Sequence, residues 1–90
     1  MVYMVLETFK NPDLVEVRER FLTRGRLMPE GLTYVSSWMT SDGAKCFQVM
    51  DSPQRELLDE WIANWNDLVD FEVVSVLSSA DFWERFGQCE

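Results

Sequence analysis

Leu32-Thr33-Tyr34-Val35-Ser36-Ser37-Trp38-Met39 and Lys45-Cys46-Phe47-Gln48-Val49-Met50 are two apolar runs with aromatic and β-branched members, separated by a short segment containing Asp42-Gly43. Asp-Gly between such runs signals a β-hairpin, because glycine supplies the left-handed backbone that a tight turn requires. The middle of the chain therefore reads as two antiparallel strands, the second and third of the fold.

Upstream, Val2–Phe9 is apolar and free of turn residues, which makes it the first strand. Asn11-Pro12-Asp13 then offers an N-cap, a proline at the first helical position and an acid in the first turn, and Gly25 can close the helix in a left-handed conformation. Leu14, Val17, Phe21 and Leu22 form the stripe expected to be buried. Met28-Pro29-Glu30-Gly31 connects this helix to the hairpin.

Downstream, Ser52-Pro53 repeats the cap-and-proline device and opens a second helix, on which Leu57, Leu58, Trp61, Ile62 and Trp65 recur at three- and four-residue steps. Asn66-Asp67 ends it. Val69–Leu77 is a fourth strand, and Ser78-Ser79 caps a short helix with Phe82, Trp83 and Phe86 before Gly87. The order is β-α-β-β-α-β with a short C-terminal helix. It packs most simply as an α+β, ferredoxin-like domain over residues 1–90, with a four-stranded antiparallel sheet in the order 4-1-3-2 and two helices on one face.

The strands carry a second message. A sheet with one wet face should alternate apolar and polar residues. Here Val2, Met4 and Leu6 share one parity of the first strand while Tyr3, Val5 and Phe9 share the other, and the fourth strand sets Phe71, Val73 and Leu77 against Val74 and Val76. Both faces read as buried, yet two helices cover only one. The other would exceed the few hundred Å² of apolar patch that a soluble monomer exposes, so a homodimer through the sheet face is expected. The alternative is that the C-terminal helix folds back over that face, but Ser79–Phe86 is too short to cover four strands.

Composition narrows the classes of function. At 47% hydrophobic, 13% aromatic and 27% charged, the 90 residues form an ordinary globular sequence with too much apolar material for disorder. No apolar stretch approaches the roughly 20 residues of a membrane span. The N-terminus has neither a basic lead nor a small-residue cleavage site, so a cytoplasmic location is expected. The net charge is −8, and residues 30–90 hold twelve acids against three bases. Such a field repels phosphate backbones, and no nucleic-acid or membrane partner is expected. Arg18, Arg20, Arg24 and Arg26 read as a solvated helix face and last turn. The chain has no histidine and two cysteines, Cys46 and Cys89, so neither a metal site, another cofactor nor a disulfide is expected.

Six residues are candidates for binding a ligand: Tyr34, Trp38, Cys46, Gln48, Trp61 and Trp65. Gln48, a carboxamide between Phe47 and Val49, must find hydrogen-bond partners, and it orients either a ligand or core backbone groups. Trp61 and Trp65 share a helix face, and with Trp38 and Tyr34 they form either core or the walls of a flat pocket for a small aromatic ligand. Cys46 has no histidine to activate it and reads first as a buried structural thiol. Glu7 and Glu72 lie on neighbouring antiparallel strands and could pair as acid and base, unless a one-residue register shift separates them. Arg26 either meets an anionic ligand or pairs with Glu30.

Arg24-Gly25-Arg26, Pro29-Glu30-Gly31-Leu32, Tyr34, Ser37-Trp38, Cys46–Met50, and Trp61 with Trp65 resemble, in order and spacing, the bacterial family catalogued as domain of unknown function 3303. The resemblance runs from the first strand to about Leu77. Beyond it, the architecture is similar to the dimeric α/β-barrel superfamily, which includes small monooxygenases, isomerases and members without demonstrated activity. The resemblance implies a dimer with its two sheets face to face, helices outside and a cavity in each subunit between sheet and helices. It implies no substrate, since fold alone does not set function.

Two functional readings follow. In the first the chain is a homodimeric binding or structural module without catalysis, because no nucleophile–base spacing or phosphate loop is present. In the alternative it is a cofactor-independent monooxygenase or isomerase acting on a small aromatic compound. A cavity lined by Trp38, Gln48 and the second helix favours a ligand, and a filled core favours the structural module.

Overall fold

The computed structural model describes residues 1–87. Val2–Phe9 forms β1, Val15–Arg24 α1, Thr33–Met39 β2, Lys45–Asp51 β3, Arg55–Ala63 α2, Val69–Val76 β4 and Ser79–Arg85 α3. Cys89 lies outside the described residues.

The hairpin turns where its residues dictate. Gly43 takes a φ of +77°. The Asp42 carboxylate accepts hydrogen bonds from the Thr40 hydroxyl at 2.7 Å and the Ala44 N–H at 3.0 Å. The strands assemble as one antiparallel sheet in the order β2-β3-β1-β4, the ferredoxin-like arrangement expected. Strand ends differ from the sequence reading by at most one residue, whereas α1 starts at Val15, three residues after the expected Pro12.

Register sorts the side chains into two populations. On the face under α1 and α2 lie three rows, Tyr34-Met50-Tyr3-Ser75, Ser37-Gln48-Val5-Val73 and Met39-Cys46-Glu7-Phe71. On the opposite face lie Trp38-Phe47-Leu6-Glu72, Ser36-Val49-Met4-Val74 and Thr33-Asp51-Val2-Val76. A bulge between Tyr34 and Ser36 inserts Val35 into β2, so residues after it swap faces relative to Tyr34.

The core holds Tyr3, Val5, Leu32, Met50, Leu58, Trp61 and Trp65, with Trp61 edge-on to Phe71 at 5.8 Å between ring centres. Here α1 departs from expectation. None of its residues is buried; Phe21 is 45% and Leu22 64% exposed. The helix lies over a cavity instead of packing onto the strands, so its apolar stripe is only partly covered. Its caps also act earlier than expected. Asn11 and Asp13 bond to the N–H groups of Asp13 and Val15, shaping a turn ahead of a helix whose own N-cap, Leu14, makes no side-chain bond. Arg20 anchors α1 instead, in a two-toothed bond to Asp67 at 2.7 and 2.8 Å. That bond holds the exposed Asp67 carboxyl down at about 2.

Ser78 caps α3 through the Asp81 N–H at 3.1 Å, as its sequence suggests. Every residue from Leu77 to Gly87 is exposed, so α3 does not fold over the sheet. The fold is 17 Å across its thinnest axis, one sheet with helices over one face, and none of the described helices covers the second face. No helix among the described residues is long and apolar enough to cross a membrane.

Leu58 on α2 is fully buried against the sheet. Leu58→Ala should lower unfolding stability by about 2–5 kcal/mol through the cavity it leaves. Urea titration by near-UV dichroism measures this, and a loss under about 1 kcal/mol would mean that α2 is not the keystone of the helix layer.

Candidate functional site

Beneath α1 lies a cavity of about 230 Å³. Val17 and Phe21 of α1 and Trp61 and Trp65 from α2 and the turn after it supply apolar walls. The sheet contributes Glu7, Ser37, Cys46 and Gln48, and the α1–β2 linker contributes Arg26.

Arg26 is placed by its backbone as much as by its side chain. Gly25 ends α1 at φ +70°, and Leu27 is the one non-glycine with positive φ, +59°, among the described residues. A leucine adopts that conformation only when its surroundings compensate, and here α2 and the turn after it do so. The Trp61 and Trp65 indole N–H groups both donate to the Arg26 carbonyl, at 3.1 and 2.9 Å, and the Asn64 amide donates to the Leu27 carbonyl at 2.9 Å. With the linker fixed, the Arg26 guanidinium stacks on the Tyr34 ring at 3.8 Å and approaches Phe21 at 5.5 Å. No carboxylate lies within ion-pair distance of it among the described residues.

Glu7 and Gln48 are the buried polar pair. Each is 6% exposed. Gln48 is diagonal to Glu7 across the β1–β3 ladder, within reach of a long side chain. Its amide donates to Glu7 Oε2, while its carbonyl oxygen accepts from Arg26 at 3.4 Å. The chain Glu7–Gln48–Arg26 thus joins a carboxyl to a guanidinium that does not touch it. Burial pushes the Glu7 carboxyl up to about 7, against the opposing pull of the Gln48 hydrogen bond and the Arg26 charge. Both protonation states are populated at neutral pH.

Cys46 faces Glu7 directly across the ladder. Burial, and then the Glu7 charge, push its thiol up to about 11, so it stays protonated and is not a nucleophile.

Of the six residues singled out in the sequence, Cys46, Gln48, Trp61 and Trp65 line the cavity. Tyr34 stands behind Arg26, its hydroxyl bonded to Ser37 at 2.8 Å. Trp38 does not join them. It sits on the uncovered face, 70% exposed, because the β2 bulge reverses its parity relative to Tyr34. Nor do Glu7 and Glu72 meet. Glu7 pairs with Phe71 and Leu6 with Glu72, so the two carboxylates occupy opposite faces. Arg26 turns to Gln48 and Tyr34 and not to Glu30. Glu7 also lines the cavity and is not among those six. Its signal was parity, since it continues the series Tyr3, Val5 on the buried side of β1.

The family described as Domain of unknown function (DUF3303) matches residues 1–89. Among solved structures, that of Rv0793 from Mycobacterium tuberculosis superposes with a TM-score of 0.50 at 20% sequence identity, covering 88% of this chain and 97% of that one. At that identity the likeness concerns the fold alone. No curated protein matches the chain.

The Glu7 environment sets a pH dependence with a definite sign. Its folded-state pKa, about 7, lies above the ordinary 4.5, so the protonated carboxyl favours folding. That stabilisation is complete below the ordinary value and is lost as pH rises through the folded one. Glu7→Gln should therefore be more stable than the wild type at pH 8 by on the order of 2–3 kcal/mol, with the difference vanishing towards pH 4. Parallel denaturant titrations across pH measure the difference, and a constant offset would show that Glu7 is not desolvated.

Proposed function

We propose that this chain, which belongs to the DUF3303 family, works as a homodimer that binds one small aromatic ligand per subunit in the cavity between sheet and helices. One observation carries the reading. The space below α1 is a cavity of about 230 Å³ where a purely structural module would hold packed side chains. An apolar cavity of ~150 Å³ accommodates a benzene ring, so this one has room for a ring with a short substituent. Aromatic faces line one side, and Glu7, Gln48, Ser37 and Arg26 gather on the other, the division typical of small-molecule sites. Because both indole N–H groups are engaged by the Arg26 carbonyl, Trp61 and Trp65 offer a ligand their ring surfaces. Directed hydrogen bonds come from Arg26, Gln48 and Glu7.

The uncovered sheet face supports the dimer. Leu6, Phe47 and Trp38 make up most of one row, which ends in Glu72 at the β4 edge, and Met4, Val49 and Val74 make up most of the next, which ends in Ser36 at the β2 edge. Polar Lys45, Thr8 and Asp70 follow at one end, as a rim surrounds an interface core. Two such faces packed together would bury what neither α1, α2 nor α3 covers.

Light scattering at micromolar concentration should give about twice the 10.6 kDa chain mass. Val49→Lys, in the middle of the open face, should yield a folded monomer or an unfolded chain; a dimer of unchanged strength would refute a sheet-to-sheet interface. For the ligand, a Trp38→Phe, Trp83→Phe background leaves Trp61 and Trp65 as reporters. Small aromatic acids, ketones and phenols should include one that changes their emission saturably, and Gln48→Ala should weaken it by on the order of 1 kcal/mol. If none does so, the cavity is a packing defect and the module is structural.

A further inference from the structure

We propose that Glu7 is a catalytic base that moves a proton on an aromatic carbon acid, a ketone or keto acid with hydrogen on the carbon next to its carbonyl, whose enolate oxygen is received by Arg26. The inference rests on the ligand-binding reading above and adds a reaction to it.

The geometry of the carboxyl carries the proposal. Gln48 holds Glu7 Oε2, whereas Oε1 has no hydrogen-bond partner among the described residues. No fully buried side-chain oxygen there lacks a partner, so Oε1 is open to the cavity that Glu7 lines. A carboxyl built only for stability would have both oxygens bonded or would be replaced by an apolar residue. One oxygen is oriented by an amide, and the other faces an apolar space with room for a ring.

The neighbours suit proton transfer. The titratable or charged groups lining the cavity are Glu7, Cys46 and Arg26, with Tyr34 behind Arg26; α1, α2, the turn after α2 and β4 present only Val17, Phe21, Trp61, Trp65 and Val69. Cys46 keeps its proton, and the chain contains no histidine, so Glu7 is the one group in the cavity able to accept a proton near neutral pH. Arg26 is held by Tyr34 and by its own carbonyl, and no ion pair neutralises it among the described residues. It therefore keeps donors for an oxygen that becomes negative during reaction.

The step balances without a co-reactant. Glu7 Oε1 takes the proton from the α-carbon; the C–H electron pair becomes the C=C bond of an enolate; the carbonyl π pair moves to oxygen, where the Arg26 N–H groups meet the charge. Glu7, now a carboxylic acid, returns the proton to the same carbon, to the oxygen, or to a conjugated carbon further along, which gives exchange, tautomerisation or double-bond migration. Nothing is oxidised or reduced. Gln48 is a positioning residue that keeps Oε1 aimed at the cavity.

The test uses the whole chain with phenylpyruvate and benzoylacetone as carbon acids and benzoate as a binder that cannot enolise. Proton NMR in deuterated buffer should show faster loss of the α-hydrogens than buffer alone produces. The rate should rise with pH along an apparent pKa near 7, the value to which burial pushes Glu7. Glu7→Gln should cut the catalysed rate by about 100-fold or more while its near-UV dichroism persists, and Glu7→Asp should restore part of it. If the carbon acids bind but neither exchanges faster than in buffer, or Glu7→Gln exchanges at the wild-type rate, the proton-transfer proposal is overturned and the ligand site stands. If neither the carbon acids nor benzoate binds, both readings fall.

Discussion

The carbonyl oxygen of Arg26 accepts two indole hydrogen bonds, and the working geometry of the molecule hangs on it. Trp61 lies at the end of α2 and Trp65 in the turn that follows, and both reach across to one point of the α1–β2 linker. The two bonds compensate for the left-handed backbone of Leu27 and fix the direction in which α1 leaves the sheet. They also satisfy the donors of two large buried side chains, which would otherwise carry a desolvation cost of a few kcal/mol. The linker is thereby pinned where the Arg26 guanidinium stacks on Tyr34 and reaches Gln48, and α1 is left arched over space.

Polar groups at the bottom of that space go against stability. A desolvated carboxyl beside a thiol and a carboxamide is a worse core than three apolar side chains, and a sheet this small has little stability to spare. Local rules tend to be broken at functional sites, and this break coincides with a cavity, a guanidinium that has no carboxylate partner among the described residues and a carboxyl oxygen open to the cavity. The electrostatics cohere as well: the Gln48 amide and the Arg26 charge pull the Glu7 pKa down, yet desolvation dominates.

Much of the fold was legible because its signals are local. Asp42-Gly43 needs a glycine in the left-handed region wherever the hairpin goes, Ser78 caps whatever helix follows it, and the runs from Val2 and Val69 are strands in any sensible packing. The buried residues that line the cavity, Cys46, Gln48, Trp61 and Trp65, were also recognisable, the first two as out-of-place groups in an apolar strand and the last two by their four-residue spacing. Three features were not. Trp38 needed knowledge of the β2 bulge, which no residue from Thr33 to Ser36 advertises and which turns every later side chain over. Pairing Glu7 with Glu72 needed the β1–β4 register to within one residue. The place of α1 over a cavity depended on contacts made by α2 and the segment after it.

From sequence alone, then, came the βαββαβ order with its terminal helix, the apolar character of both sheet faces and the family resemblance, because backbone preferences and side-chain periodicity act over a few residues. Tertiary structure decided which parity lies under the helices, and so whether each polar residue enters the cavity or the open face. It brought Glu7, Gln48 and Arg26 together from three separate segments. The reason is that a strand alternates with a period of two, so one bulge or a one-residue slip reverses the side chains beyond it, and only pairing with the neighbouring strands fixes that choice.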